Sequence, residues 1–268
     1  MTCTFLSAPY FTNGQELGSA DSLLEAGNYL QARVAYERLI FRGKSDANIL
    51  LLKKSFCWKM EGKFDEAHST LQRADLFKGT DSVKIMIYNE LALDAYLAGK
   101  FNIALSTLQE LHYYFPDKST SISEALEILT LNQLFKWDEA EQKFISFLAK
   151  YALPDQYIYQ KRNRPKFKNP TKAETLSYII PGSGQLYAGY PGHAITSLLI
   201  QGGLVTFTVY SFTNGYFFSG AFTGVALFSF FYNGGASHAR DLAVRHNSEQ
   251  MLRFNEKVKI VLAKAVKK

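Results

Sequence analysis

Apolar residues recur at helical spacing over about the first 150 residues, and a short motif interrupts them at regular intervals. The motif reads Gly-x-aromatic-x-x-Ala at Gly27, Gly62 and Gly99, and Phe135 takes the first position in a fourth copy. Apolar residues three or four positions apart lie on one face of a helix, so the runs before and after each motif are predicted helices. Four helix pairs are therefore expected within residues 17–151, with 35, 37 and 36 residues between successive motifs.

Each motif position has a mechanical role in a tight turn between two helices. The glycine can take the left-handed conformation, the aromatic side chain fills the gap between the helices, and the alanine lets their axes approach closely. The pattern resembles the tetratricopeptide repeat (TPR), whose period is about 34 residues. The resemblance implies a TPR-like α-solenoid. Phe135 departs from the pattern, so the fourth turn is expected either to be distorted or to cap the stack.

The resemblance also implies that the first helices of the pairs line a concave face that holds a peptide or another protein. The partner-groove candidates on this face are Phe56, Met86, Asn89, Leu93 and Tyr96, and the alignment of the copies extends it through Ile122, Ala125, Leu129 and Asn132. An apolar groove favours an amphipathic helix as its occupant, and Asn89 is the polar group that could fix a bound backbone. The alternative is that this face packs against a neighbouring helix of the same chain.

The pattern changes completely after Glu174. Residues 175–239 are sixty-five residues without Asp, Glu, Lys or Arg, whereas the surface of a soluble domain is normally about a quarter to a third charged. A membrane domain over residues 171–239 is therefore predicted, with two transmembrane helices at about 194–212 and 216–232. The first spans about 28 Å at the helical rise, close to the roughly 30 Å of a bilayer core. A soluble core hairpin is the alternative.

Small residues mark the expected contact between these two helices. Gly220 and Gly224 form a G-x-x-x-G pattern, which lets helix backbones meet closely in a membrane. Their expected partners are Gly202 and Gly203 in the first crossing. The alternative partner is a second copy of the chain, in a homodimer.

A glycine-rich turn precedes the first crossing. Thr171 and Glu174 have the spacing of a capping box, which predicts a short interfacial or re-entrant helix that ends at the turn. The membrane-motif candidates in the turn are Pro181, Gly182, Ser183, Gly184, Gln185, Tyr187 and Gly189. Non-helical backbone at membrane depth is tolerated only when it is buried in protein or lines water. Gln185 and Tyr187 are therefore expected to pair with the freed backbone groups.

This turn, P-G-x-G-Q-x-Y-x-G, resembles that of a family of bacterial two-span membrane proteins related to the TM2 proteins, in which a TPR region often comes first. The later segment 232–236 and Asn247 are similar to the second signature of that family. Together the two resemblances imply an all-α chain, a TPR-like solenoid followed by a transmembrane helical hairpin. They imply an architecture rather than a biochemical role.

Charge is distributed unevenly around the uncharged segment. The chain has a net charge of +6, but residues 1–155 carry a net −4, and the positive charge lies in residues 156–174 and 240–268. A basic extended linker (152–170) beside anionic lipid head groups is expected. The last segment (240–268) is a predicted basic amphipathic helix that lies on the membrane surface or docks on the repeats.

The same charges predict the topology. Positive flanks on both sides of the hairpin face the cytoplasm, so a multi-pass protein of the bacterial inner membrane with cytoplasmic repeats is expected. Residues 1–16 are either a tail or the remnant of a signal peptide. In the second case the repeats lie in the periplasm.

Catalytic chemistry finds no support in the sequence. Cys3 and Cys57 lack the spacing of a metal site, the glycine-rich turn lacks the Lys and Ser/Thr of a phosphate-binding loop, and His238 with Asp241 is expected only to stabilise a helix. No enzyme, metal, cofactor or nucleic-acid partner is predicted. The predicted function is a membrane-anchored scaffold that binds a protein partner and membrane lipids, with envelope or membrane-protein assembly as its setting and another membrane protein as a further partner. The alternative is a small transporter or lipid-handling component.

Overall fold

Every regular element of the described residues is helical, as the predicted all-α class requires. The computed structural model describes residues 13–43, 46–154 and 157–266. Most of the tail or signal-peptide remnant predicted for residues 1–16 lies outside these ranges. The chain divides into two units, of which one comprises Met1–Gln156 with Val261–Lys268 and the other Tyr157–Ile260.

The first unit contains four helix pairs that pack in sequence. The pairs are α1 (Asn13–Glu25) with α2 (Tyr29–Phe41), α3 (Ala47–Met60) with α4 (Phe64–Leu71), α5 (Asp81–Leu97) with α6 (Phe101–Tyr114), and α7 (Ser121–Gln133) with α8 (Trp137–Lys150). Each helix contacts the next one along the chain, and α5 also contacts α3 and α7. This sequential packing is compatible with a repeat and brings the first helices of successive pairs together.

The turns within the pairs share one backbone geometry. Gly27, Gly62 and Gly99 have φ angles of 75°, 72° and 75°, and Phe135 has a φ angle of 59°. Phe135 therefore keeps the left-handed conformation of the other turns instead of distorting it. A side chain in this conformation costs about 1–2 kcal/mol. The packing of the Phe135 ring on Trp137, with centroids 6.2 Å apart, offsets part of that cost.

Alanine at the last motif position lies in the core of every pair. Ala32, Ala67, Ala104 and Ala140 are all fully buried. A methyl group is small enough to let the second helix lie close against its partner, as the motif predicted. Cys57 is also fully buried and forms part of the core.

The second unit begins with a short 3-10 turn, Tyr157–Tyr159, and continues as helices. These are α9 (Pro170–Ile179), α10 (Ser183–Ala188), α11 (Pro191–Thr213), α12 (Phe217–Ser219) and α13 (Ala226–Val266), with a π-helical turn, Gly220–Val225, between α12 and α13.

One helix of the described ranges, α11, is long and apolar enough by length and composition to cross a membrane. It has 23 residues and a mean hydropathy of 1.4, and 11% of its apolar window is buried within the protein. The second predicted crossing, 216–232, is divided between α12, the π-helical turn and the start of α13. It therefore does not form a second separate helix of this kind.

The long helix α13 includes two segments that the sequence analysis predicted to be separate. The predicted boundary at residue 240, between membrane domain and amphipathic helix, falls inside the continuous helix Ala226–Val266. Gly234 and Gly235 lie within this helix and do not interrupt it. From Val261 onward the chain belongs to the first unit, and Val261, Leu262 and Ala265 are buried.

The packing between α11 and the helical segment that follows differs from the prediction. Gly220 lies against Ser211 and Phe212, and a β-carbon built on Gly224 would come within 2.2 Å of Thr208 Oγ1. The expected contacts of these glycines with Gly202 and Gly203 are wrong. Within the described part of the chain, no heavy atom lies within 4 Å of a β-carbon built on Gly202 or Gly203.

The turn between the two helices explains this register. Asn214 and Gly215 form a tight reversal, so residues at similar distances from it face each other. Gly224 thus meets Thr208, whereas Gln201 lies deeper and its Nε2 reaches the Phe231 carbonyl at 3.4 Å. Gly202 is too far from the turn to meet Gly224.

Residues 157–170 of the segment predicted as an extended linker belong to the second unit and are packed there. Tyr159 is buried and its ring lies edge-on to Phe254, with centroids 5.3 Å apart. Arg164 Nε donates to the Tyr159 carbonyl at 2.9 Å, and Asn163 Nδ2 donates to the Tyr157 carbonyl at 2.8 Å. Aromatic burial and these local hydrogen bonds fold the segment back on itself.

Substitution of a turn glycine should destabilise the first unit. We expect Gly99→Ala to lower its free energy of unfolding by about 1–2 kcal/mol, because alanine disfavours the left-handed conformation. Urea titration of the full chain in detergent, followed by tryptophan fluorescence, measures this change. Trp58 and Trp137 are the two tryptophans of the sequence and both lie in the helix pairs.

Gly18→Ala is the matched control. Gly18 lies inside α1, and a β-carbon there meets no heavy atom of the described residues within 4 Å. This substitution should raise the free energy of unfolding by about 0.5–1 kcal/mol. Equal effects of the two variants would contradict the role assigned to the turn.

Candidate functional site

The glycine-rich motif forms a sharp corner between α9 and α11, with α10 as its middle segment. The corner, residues 180–190, contains all seven predicted motif residues. Gly182 has a φ of 90°, and Gly189 has a φ of 93°. Both conformations favour glycine, and they reverse the chain on either side of α10.

The helix that leads into the corner starts earlier than its predicted capping box. Asn169 is the N-cap of α9, its Oδ1 accepts from the Lys172 amide at 3.0 Å, and Pro170 occupies the first turn. The predicted cap at Thr171 is therefore wrong. Asparagine is a strong N-cap, and the fixed φ of proline suits the first helical position.

Two glycines allow the segments of the corner to approach closely. A β-carbon on Gly184 would lie 1.9 Å from the Ala173 carbonyl oxygen and 2.3 Å from Ser177 Oγ. A β-carbon on Gly182 would lie 2.6 Å from the Ala194 carbonyl oxygen. Gly184 thus seats α10 on α9, and Gly182 seats the turn against the start of α11.

Gln185 connects three helices through its side chain, which is 1% exposed. Its Oε1 accepts a hydrogen bond from Ser177 Oγ on α9 at 2.9 Å. Its Nε2 donates to the Gly235 carbonyl on α13 at 2.8 Å. Ser177 Oγ also accepts from the Gly184 amide at 3.1 Å. Each end of the Gln185 amide thus makes one hydrogen bond to a neighbouring helix.

Four further polar side chains fix the corner and the segment that leads into it. Tyr187 OH accepts from the Asn169 amide at 3.1 Å, and Ser183 Oγ donates to the Leu176 carbonyl at 2.6 Å. Asn247 on α13 pairs with both backbone groups of Lys168, at 2.7 and 2.8 Å. The Tyr232 hydroxyl donates to the Tyr178 carbonyl. The later signature of the sequence therefore supplies bonding partners to the corner and to α9.

The two charges that border the uncharged segment lie near each other. The Arg240 guanidinium is 3.5 Å from a carboxylate oxygen of Glu174. Next to this ion pair, small side chains pack α9, α10 and α13 together. They are Ala173, Ala188, Ala239 and Ala243, and Leu242 belongs to the same cluster. The start and the end of the segment are thus held together by one ion pair and an alanine-rich core.

A cavity of about 250 Å³ lies beside the corner, between α11 and α13. Its lining includes Gln201, Ser197 and the imidazoles of His193 and His238. Gln201 is 4% exposed, and its Nε2 donates to Ser197 Oγ at 3.1 Å. Its Oε1 is buried and has no hydrogen-bond partner among the described residues. This oxygen is an acceptor that a bound molecule could use.

Few local signals along the chain indicate this cavity. Gln201 is a polar residue within an apolar run, which is a local signal for an internal polar site. His238 was expected to pair with Asp241, but its Nε2 lies 3.4 Å from His193 Nδ1. That contact joins residues 45 positions apart and cannot be read from local spacing. Ser177 was missed for the same reason.

A second candidate site is a groove of about 400 Å³ along α5 and the start of α7, in the first unit. Met86, Asn89 and Leu93 line it, together with Ile122. Met86 is 53% exposed, and Asn89 Oδ1 is buried without a hydrogen-bond partner in the described ranges. The groove therefore combines exposed apolar surface with one unsatisfied acceptor.

The structure brings together three of the five predicted groove residues. Phe56 is exposed on α3 but does not line the cavity, and Tyr96 lies edge-on to Phe101 with centroids 5.4 Å apart. The extension along α7 is wrong beyond Ile122, because Ala125, Leu129 and Asn132 are buried. The groove is therefore shorter than the sequence predicted.

A buried carboxylate lies one helical turn beyond the groove. Asp94 on α5 is fully buried, its Oδ2 accepts from Ser55 Oγ at 3.0 Å, and its Oδ1 lies 3.5 Å from Lys59 Nζ. Glu90 also pairs with Lys59. Burial raises the pKa of Asp94 from 3.8 to about 6, although Lys59 and Ser55 act in the opposite direction.

Comparison with known proteins identifies no family for this chain. No family model, no curated protein and no solved structure matches it. Within the described ranges, no group of three or more His, Cys, Asp or Glu side chains is arranged to hold a metal ion. The candidate sites must therefore be interpreted from their own geometry.

Insertion of a methyl group at the centre of the corner should disrupt it. We expect Gly184→Ala to lower the yield of folded protein and to expose residues 175–190 to protease, because the new β-carbon overlaps Ala173 and Ser177. Limited proteolysis of purified full-length protein measures this effect. Gly192→Ala is the control, since no heavy atom of the described residues lies within 4 Å of its β-carbon. Equal proteolysis of both variants would contradict the packing described for Gly184.

The free energy of unfolding of the first unit should depend on pH through the titration of Asp94. A carboxyl with a raised folded pKa stabilises the folded state below its unfolded pKa, and that contribution is lost as pH rises through the folded pKa. Between pH 3.8 and about 6, wild type should therefore lose stability relative to Asp94→Asn, by at most about 1.4 kcal/mol per pH unit.

Urea titrations at several pH values, followed by tryptophan fluorescence, measure this difference. Carboxylates with lowered pKa values, such as Glu37 beside Arg73, stabilise the fold less at acid pH. This loss is the same in both proteins and cancels in the comparison. A pH-independent difference between the two proteins would contradict the raised pKa of Asp94.

Proposed function

We propose that this protein is a non-enzymatic scaffold of a bacterial inner membrane, in which the helix pairs recruit a protein partner and the second unit anchors the chain. The helix pairs are proposed to form a TPR-like α-solenoid. The observation that carries the proposal is the groove on α5 and α7, where apolar side chains lie beside Asn89 Oδ1, an acceptor without a hydrogen-bond partner among the described residues.

The groove chemistry favours an amphipathic helix as the occupant. Met86, Leu93 and Ile122 offer apolar contacts, which match the spaced apolar anchors of a helix in a groove. Asn89 Oδ1 needs a hydrogen-bond donor. The partner can supply one from a polar side chain or from an unpaired amide in its first helical turn. The net charge of −4 over residues 1–155 favours a basic helix.

The composition and exposure of α11 support the anchor. Its apolar window is 11% buried within the protein, so most of its apolar side chains need another environment. Phe218, Phe222 and Phe230 in the following segment are also exposed. We propose that residues 216–232 return across the bilayer, so that both basic flanks and the helix pairs lie in the cytoplasm.

A second candidate function is a lipid-handling membrane component. The cavity beside the corner favours it, because Gln201 Oε1 is a buried acceptor within an uncharged segment. This role is compatible with a scaffold, since the two candidate sites lie in different units.

The partner groove can be tested by site-specific photocrosslinking of the full-length protein in bacterial membranes. A benzophenone amino acid in place of Met86 should give one discrete product with a protein partner. Adding Asn89→Ala should lower the yield about twofold to tenfold at limiting partner concentration, because one net hydrogen bond contributes about 0.5–1.5 kcal/mol.

Ile103 is the control position. It is exposed on α6 and does not line the groove, so the same amino acid there should give no such product. The proposal fails if the product forms equally from position 103, or if it is unchanged by Asn89→Ala.

A further inference from the structure

The cavity between α11 and α13 has the features of a binding site for a neutral molecule. It contains a buried acceptor, Gln201 Oε1, that has no partner in the described part of the chain. A buried unpaired polar group costs about 1–3 kcal/mol. A ligand that donates a hydrogen bond to this oxygen removes that cost. Gln201 is therefore the residue from which the ligand chemistry can be argued.

The residues that line the cavity are poorly suited to a charged ligand. Among the described lining residues there is no Asp or Glu to pair with an ammonium group and no Lys or Arg to pair with a phosphate or carboxylate. A formal charge within this uncharged segment would lack a counter-charge, which is energetically costly. The ligand should therefore be neutral.

The polar side chains of the cavity match hydroxyl groups. A hydroxyl can donate to Gln201 Oε1 and accept from a neighbour. The Ser197 hydroxyl and the imidazoles of His193 and His238 can each donate or accept a hydrogen bond. A group with two or more hydroxyls can therefore bond along the cavity, which extends about 12 Å along α11 from His193 to Gln201 at the helical rise.

The remaining lining residues indicate a hydrocarbon attached to the polar group. Ile200, Phe230 and Phe231 border the cavity, and all three are exposed. The cavity volume of about 250 Å³ is below the roughly 300–1,000 Å³ of pockets for drug-sized ligands. It can hold a small head group but not a whole lipid.

From these observations we propose that the cavity binds the neutral, hydroxyl-bearing head group of a lipid, with Gln201 Oε1 as the acceptor. The acyl chain leaves past Phe230 and Phe231. The proposal rests on the membrane placement of α11 proposed above. The shared chemistry also fits a free polyol, and the experiment separates the two sources.

Photoaffinity labelling of the full-length protein in phospholipid vesicles tests the proposal. The probe is a monoacylglycerol with a diazirine on a chain methylene position near the ester group, and peptide mass spectrometry locates the label. Label is expected on residues 193–201 and 230–238. The methyl ester of the same diazirine fatty acid lacks the hydroxyls and should label these peptides at least about tenfold less, which corresponds to 1.4 kcal/mol.

Two variants probe the cavity directly. Gln201→Leu removes the acceptor and should reduce labelling about tenfold. Gly234→Leu fills the cavity lining, and no heavy atom of the described residues lies within 4 Å of a β-carbon at Gly234. This variant leaves the hydrogen bonds of Gln201 and Gln185 in place, so it should fold and still lose labelling.

Gly203→Leu is the matched control, because Gly203 also has open space at its β-carbon but does not line the cavity. It should label like wild type. Equal labelling of Gly234→Leu and Gly203→Leu, or equal labelling by the ester, overturns the proposal. Competition by millimolar free glycerol as effective as competition by unlabelled monoacylglycerol assigns the site to a free polyol and overturns the lipid.

Extraction with alkaline carbonate separates failure of the site from failure of the anchor. Protein that stays in the vesicles but is not labelled overturns the head-group site alone. Protein that is released overturns the membrane placement and with it both proposals.

Discussion

Hydrogen bonding by one glutamine holds the corner of the second unit together. A sharp turn inside an uncharged segment leaves backbone groups that neither lipid nor an apolar core can satisfy. Ser177 Oγ on α9 accepts from the Gly184 amide of the turn and donates to Gln185, whose Nε2 donates to the Gly235 carbonyl on α13. The absence of a side chain at Gly184 lets α10 approach near enough for these bonds. The positions of α11 and of the cavity follow from this corner.

Local signals in the sequence predicted the helix pairs well. The turn glycines and core alanines act within a few residues, so their spacing is sufficient to locate the four turns. Phe135 shows where local propensity fails, because its surroundings hold it in a left-handed conformation that its side chain disfavours. Asn169 shows a competition between caps, in which asparagine followed by proline prevailed over the capping box at Thr171.

Features that depend on distant partners could not be predicted. The register between α11 and the π-helical turn is set by the tight reversal at Gly215, and the G-x-x-x-G pattern does not specify what it faces. The pairing of His193 with His238, and the acceptor on Gln201, exist only once α11 and α13 lie side by side. The groove was predicted in part, because the helical period places Met86 and Asn89 on one face of α5. The burial of Leu129 depends on neighbouring helices and could not be predicted from the period.

The long separations within the corner set an order for its assembly during synthesis. The Gly235 carbonyl lies 50 residues after Gln185, and Asn247 lies 79 residues after the Lys168 backbone that it bonds. At about 5–20 residues per second, the ribosome needs about 3–10 s to produce the first of these partners. During that interval Gln185 Nε2 must bond to water, to another protein or to a temporary neighbour. The corner is made before these partners and is therefore among the last parts of the second unit to reach its final bonding.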